Sequence, residues 1–184
     1  MQRDLVERAM TGDHDAFSEL ARISIGRLYV IARLILRDDA KAEDATQDAL
    51  FAAWRHIRGL RDPDRFDAWL RRLLVNACYR EAGRSQRRGS LEVHVQELDA
   101  PEPDSSLDFA DRDQVERGFR HLDTDQRAVL VLHYYLGLSL DEAADVLGVP
   151  PGTVRSRLHR ATVAMRAALD ADARTSLMTQ GRPT

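Results

Sequence analysis

SLDEAADVLGVPPGTVRSRLHR, residues 139–160, decides the fold of this chain. Ser139 and Glu142 stand three apart, the spacing of a capping box, in which each side chain satisfies a free N–H at a helix start. Ala143, Ala144, Val146 and Leu147 give the short helix that follows its apolar side. Gly148 can take the left-handed conformation that ends a helix. Pro150 and Pro151 forbid continuation and suit the opening of the next one. From there Val154, Leu158, Ala161 and Met165 share one face at helical spacing. Arg155, Ser156, His159 and Arg160 fall outside that face. A short helix, a tight turn and a helix with polar and basic residues outward make a helix-turn-helix, whose second helix enters the DNA major groove. An ordinary helical hairpin would also carry a solvated charged face. The spacing of Ala144, Gly148 and Val154 favours the DNA-binding motif.

The surrounding composition supports an all-α fold. The 184 residues suit one domain or two small ones, and a hydrophobic content of 43% is enough for a core. Ala, Leu and Arg are frequent, and no long run alternates like a strand. The net charge of −3 hides a strong segregation. Residues 68–90 hold six Arg and one Glu, residues 91–125 eleven acids and three Arg, and residues 126–184 seven Arg and five acids. Two basic zones flanking an acidic one predict two surfaces for a polyanion. The single Cys78 excludes an internal disulfide and a cysteine metal site, and packing is its expected role. The N-terminus lacks an apolar signal-peptide core, and no stretch reaches the length of a membrane span, so a cytoplasmic protein without membrane insertion is expected.

Two amphipathic helices are predicted over residues 3–36, interrupted at Gly12-Asp13. Asp38 or Asp39 can cap the next helix, beginning near Ala40. In it Ala42, Ala45, Ala49, Leu50, Ala53 and Ile57 share one face. Asp44, Gln47, Asp48, Phe51 and Arg55 lie opposite. Phe51 is a large aromatic among acids. Either it anchors a protein partner, or another part of the same chain covers it. After a loop at residues 59–64, a third strong helix runs from Phe66 to Arg84. Phe66, Trp69, Leu70, Leu73 and Ala77 line its expected core face, with Arg72, Val75, Asn76 and Tyr79 opposite and Arg71 and Arg80 at the margins. Arg suits phosphate, Asn a base edge and Tyr the stacking of an unpaired base. The pattern is equally that of a solvated basic face. Residues 89–108 carry six acids, two Pro and no Lys or Arg, and are expected to be an acidic flexible linker. A second domain then begins near Phe109, with Val115, Phe119 and Leu122 in a short helix and Ala128, Val129, Leu130, Leu132 and Tyr135 in the next. After Leu169 the pattern fades into an expected frayed tail.

Three blocks in this order resemble the extracytoplasmic-function (ECF) sigma factors, small members of the sigma-70 family. They are DDAKAEDATQDALFAAW (residues 38–54), RFDAWLRRLLVNACYR (65–80) and LDTDQRAVLVLHYYLGLSLDEAADVLGVPPGTVRSRLHRA (122–161). The resemblance runs from about Ala16 to Leu169. It implies a sigma region 2 domain over 1–88, the linker over 89–108, a region 4 domain over 109–170 and a tail over 171–184. It implies core RNA polymerase as partner, through the β′ clamp helices and the β flap. Asp44, Gln47, Asp48 and Phe51 match the clamp-binding face. Arg71, Arg72, Asn76, Tyr79, Arg80, Arg84, Arg87 and Arg88 match the helix that binds and melts the promoter −10 element. Arg155, Ser156, His159 and Arg160 match the −35 reading positions. Arg157, on the core side, and Thr153, at the helix start, match phosphate contacts. Many members carry an acid four residues after the Asn of the −10 helix, and an Arg shortly after it. Here Arg80 and Gly83 hold those places. An anti-sigma factor is a further implied partner.

Catalysis is not expected. The six histidines are scattered, no HExxH pattern or Cys pair occurs, and Asp44 and Asp48 have no histidine nearby to complete a metal site. No cofactor or metal is expected. The competing function is a helix-turn-helix regulator acting without core polymerase, in which residues 38–88 would form an effector or dimer domain.

Overall fold

The computed structural model describes residues 2–88 and 109–180, with side chains over 2–84 and 115–171. The linker at 89–108 lies outside the described residues. Within them the chain forms eight α-helices and no strand. Helix α1 (Gln2–Met10) ends at Gly12, which takes a φ of 100°. Asp13 then caps α2 (His14–Leu36), its carboxylate accepting from the Ala16 N–H. Asp38 caps α3 (Asp39–His56) in the same way through the Lys41 N–H. The alanines of the predicted core face, Ala42, Ala45, Ala49 and Ala53, are all fully buried. Their small side chains let α3 lie close to α2 and α4. Single 3-10 turns at Ile57–Gly59 and Pro63–Arg65 bring the chain to α4 (Phe66–Arg88).

The second half holds α5 (Phe109–Arg120), α6 (Thr124–Leu130), α7 (Leu140–Leu147) and α8 (Pro151–Gln180). Asp123 and Gln126 form a capping box at α6, and Ser139 and Glu142 form the one predicted at α7. Between α6 and α7 the helix widens into a π turn at Val131–Tyr135. Gly148 closes α7 at φ 67°, where a side chain would be strained. Pro151 opens α8, and Val154 and Ala161 are fully buried beneath it. Helix α5 lies along α8 at Gly118, where a Cβ would overlap the sulfur of Met165. The expected tail is corrected: α8 continues past Leu169 to Gln180. Residues 171–180 include good helix formers, and no Gly or Pro interrupts them before Gly181.

A larger difference concerns α4. Periodicity places Val75 and Tyr79 outward, opposite the core. Val75 is fully buried, and so is Leu74, which the predicted core face omits. Helix α4 is packed on two sides, by α2 and α3 on one and by α6 and α7 on the other. The buried side chains of both halves therefore form one continuous cluster.

Candidate nucleic-acid and polymerase-binding surfaces

Helix α8 presents the expected −35 positions to solvent. Arg155, Ser156, His159 and Arg160 are exposed along one side of its first turns. The Ser156 hydroxyl donates to the Thr153 carbonyl and Arg160 Nε to the Ser156 carbonyl, which holds this row against the helix. Thr153 is half-buried at the helix start. Exposed donors on a helix anchored by Val154 and Ala161 suit a major groove, where base edges and phosphates accept hydrogen bonds. Arg157 stands apart from this row. Its side chain is 21% exposed, and its guanidinium lies 3.1 Å from the Asp125 carboxylate of α6.

On α3, Asp44, Gln47 and Phe51 are exposed and Asp48 is partly so. Phe51 is 61% exposed, and no part of the described chain covers it. The Arg55 guanidinium sits 5.7 Å from the ring centre, so one flank of the phenyl carries a cation. Asp48 also faces α4. Its carboxylate lies 3.4 Å from the Arg80 guanidinium and 4.0 Å from that of Arg84. These solvated pairs are individually weak, yet they join the acidic face of α3 to the basic side of α4.

The α4 candidates divide. Asn76, Arg80 and Arg84 are accessible. Arg84 also pairs with the buried Glu81 one turn back. Arg72 is exposed and approaches Gly148, the turn of the helix-turn-helix. Arg71 and Tyr79 are half-buried against the second domain. Burial lowers the pKa of Arg71, opposed by Asp67, with Glu142 of α7 a further nearby acid. Burial likewise raises that of Tyr79, whose hydroxyl is sealed beside Asp125 and Arg157 without a well-formed hydrogen bond. Arg87 and Arg88 lie in the last turn of α4, and their side chains are outside the described residues.

The contact between the domains contains groups for which the sequence offers no signal. Arg37 takes a left-handed conformation (φ 56°) after α2 and bonds Glu116 of α5 through both its carbonyl and its carboxylate. Arg127 of α6 is held down to a pKa of about 10 by burial and by the like charge of Arg37. Three buried polar atoms among the described residues have no hydrogen-bond partner: Arg71 Nε, Tyr79 Oη and Arg127 Nε. All three belong to side chains at this contact. No three His, Cys, Asp or Glu side chains among the described residues cluster as a metal site.

A helix-turn-helix facing outward, beside a second helix with exposed basic residues, defines a helical DNA-binding protein, and α3 adds an exposed phenylalanine among acids. The family described as Sigma-70 region 2 matches residues 20–88, and Sigma-70, region 4 matches residues 112–165. The ECF RNA polymerase sigma factor SigM of Mycobacterium tuberculosis is 33% identical over 158 residues, 86% of this chain and 79% of that protein. The RNA polymerase sigma-E factor of Streptomyces avermitilis is 35% identical over 162 residues, 86% of this chain and 89% of its own. The solved sigma factor RpoE of Bartonella quintana, in complex with the anti-sigma factor NepR, is similar at a TM-score of 0.68 and 27% identity. It covers 85% of this chain and 98% of that one. The chain therefore belongs to the extracytoplasmic-function sigma factors of the sigma-70 family, the RNA polymerase subunits that direct promoter recognition.

Proposed function

We propose that this sigma factor works through three surfaces and without catalysis. Asp44, Gln47, Asp48 and Phe51 dock on the β′ clamp helices of core polymerase. Arg155, Ser156, His159 and Arg160 read duplex at the −35 element, with Thr153 and Arg157 toward phosphate. Asn76 and Tyr79 hold unpaired bases of the −10 element, with Arg71, Arg72, Arg80, Arg84, Arg87 and Arg88 toward its backbone. Capture of flipped bases shifts the equilibrium toward melted DNA, so binding alone opens the promoter. The chain acts in the cytoplasm, where the polymerase is. The helices of the described residues are too short or too polar to cross a membrane. An anti-sigma factor is a natural antagonist, as the RpoE–NepR complex exemplifies for a relative.

The exposure of Phe51 among acids carries this proposal, because a helix-turn-helix regulator acting alone needs no such anchor on α3. In-vitro transcription with core polymerase and a promoter library tests it. Promoter-specific starts that depend on the added chain are expected, and their absence would refute the proposal. A regulator acting alone would instead shift promoter duplex tightly without polymerase.

A further inference from the structure

We propose that α3 docks its partner helix in one orientation only, through a strip that is acidic at one end and cationic at the other, where Arg55 and Arg58 receive an acidic side chain of the polymerase. The proposal rests on the assignment of the Phe51 face to core polymerase. Asp44, Asp48, Phe51, Arg55 and Arg58 follow one another at steps of four, three, four and three residues. That alternation averages about 3.5 residues, the period of a seam between two helices. All five side chains are accessible. Arg58 is carried just past the end of α3 by the 3-10 turn at Ile57–Gly59. The strip therefore runs acid, acid, aromatic, cation, cation over about four turns. A partner that meets all of it must be basic opposite Asp44 and Asp48, apolar opposite Phe51 and acidic opposite Arg55 and Arg58. Turned end for end, it would set like charges against each other at both ends.

The cationic end is shaped to take a side chain. Arg55 and Arg58 line an open pocket of about 220 Å³ together with Ala9, Gly12, Trp54 and Ile57. That is below the roughly 300–1,000 Å³ of sites for small molecules and several times the roughly 30 Å³ share of one water, so it suits one side chain of a bound protein. Its walls are held in place. The Trp54 ring packs against Phe17 and His14 at centroid distances of 5.0 and 4.4 Å. Gly12 takes its positive φ here, and a Cβ on it would run into the Arg58 guanidinium. Neither arginine has an acid of its own. Asp13, which follows Gly12, is bound by Arg8 at 2.7 Å, and Arg55 and Arg58 enter no ion pair among the described residues. The C-terminal end of a helix favours cations, which accounts for their sign but does not occupy their donors. Planar guanidinium donors match a carboxylate in pairs. A nucleic-acid backbone is a poorer occupant, because Asp44 and Asp48 on the same strip repel phosphate.

Competition of the full-length chain for purified core polymerase tests the strip. The pair Arg55→Glu, Arg58→Glu should raise Kd at least about tenfold. The pair Arg55→Gln, Arg58→Gln should raise it about three- to tenfold, with a shallower dependence on salt, since two charges leave the interface. The pair Arg55→Lys, Arg58→Lys keeps the charges and should recover part of the affinity. It also places amines in the pocket. A carbodiimide activates a carboxylate, and the amine displaces the urea to leave an amide, so the coupled acid can be mapped by peptide mass spectrometry. It should fall on the clamp helices. A benzophenone carried on Asp44→Cys should photolink toward the opposite end of the same helices, about 20 Å away. Both arginines are exposed, so the variants should fold, as circular dichroism checks; the glutamine pair carries the test should the glutamate pair not fold. A glutamine pair binding polymerase within about twofold of the original would overturn the proposal. So would a lysine pair no better than the glutamine pair, amides to no acid of the polymerase, or the two marks falling together. Loss of DNA affinity by the free chain in place of polymerase affinity would overturn it in favour of a phosphate site. Failure of the docking assignment itself would appear separately, as a polymerase Kd unchanged by Phe51→Ala.

Discussion

Replacing Phe51 by Ala separates partner binding from folding because the ring is mostly outside the core. A phenylalanine side chain contributes about 200 Å² when buried. The 61% of it now exposed therefore offers on the order of 120 Å² to a partner, or at most about 3 kcal/mol at 25 cal/mol per Å². Arg55 already lies over one flank, and a rim stays wet in most interfaces, so about 1.5–3 kcal/mol is the expected loss. That is a ten- to hundredfold increase in Kd, about. The fold should move by no more than about 0.5 kcal/mol, since the loss inside the chain is a solvated contact with Arg55. Competition for core polymerase, followed by fluorescence anisotropy, measures the first quantity, and a thermal melt the second. Duplex binding through α8 should not change. A polymerase Kd within about twofold of the original, with an unaltered melt, would refute the docking role of this face. A large fall in melting temperature would instead show that Phe51 supports the fold, contrary to its exposure.

Arg155→Ala should weaken binding of promoter duplex by the polymerase-bound chain by about 1–3 kcal/mol and relax base preference in the −35 element; a uniform loss across sequences would reduce Arg155 to a phosphate contact. Ser139→Ala removes the hydroxyl that accepts from the Glu142 N–H and should cost about 1 kcal/mol in a denaturant titration. Glu142→Gln, which can still bond the Ser139 N–H, should cost far less. Asp38 supplies a pH test. Burial pushes its carboxyl up, but bonds from the Lys41 side chain and backbone outweigh that and hold it below the usual carboxylate range. Its contribution is full above the unfolded value of about 3.9 and is lost as pH falls through the lower folded value. Asp38→Asn keeps a capping group but loses the charge facing Lys41, so it should flatten the acid limb of the stability profile and lower neutral-pH stability by the pH-dependent part alone. An acid limb of unaltered slope would show that Asp38 does not contribute to it.

Local rules carried most of the fold. The caps at Asp13, Asp38 and Ser139, the left-handed Gly148 and the helical recurrence of the alanines on α3 each depend on residues within a turn or two of one another. The same locality made the α8 row legible, since Val154 and Ala161 orient it without help from the rest of the chain. The end of α8 was misjudged because residues 171–180 lose apolar periodicity while keeping helix-forming residues, and propensity prolonged the helix.

Tertiary structure decided what covers each surface. Phe51 could equally have been roofed by another segment, and among the described residues nothing covers it. Helix α4 is the converse. Its second side carries Arg71, Arg72 and Tyr79, residues that pattern rules send to solvent. Long amphipathic side chains of this kind carry enough apolar body to pack against another element, so they can line an interface without an apolar stripe to announce it. The partners across that interface, Asp125, Glu142 and Arg157, lie 46 or more positions away in sequence. Helix type and helix face are set by near neighbours and are written in the sequence. Which two faces meet depends on shape and charge across that distance, and the assembled structure alone specifies it.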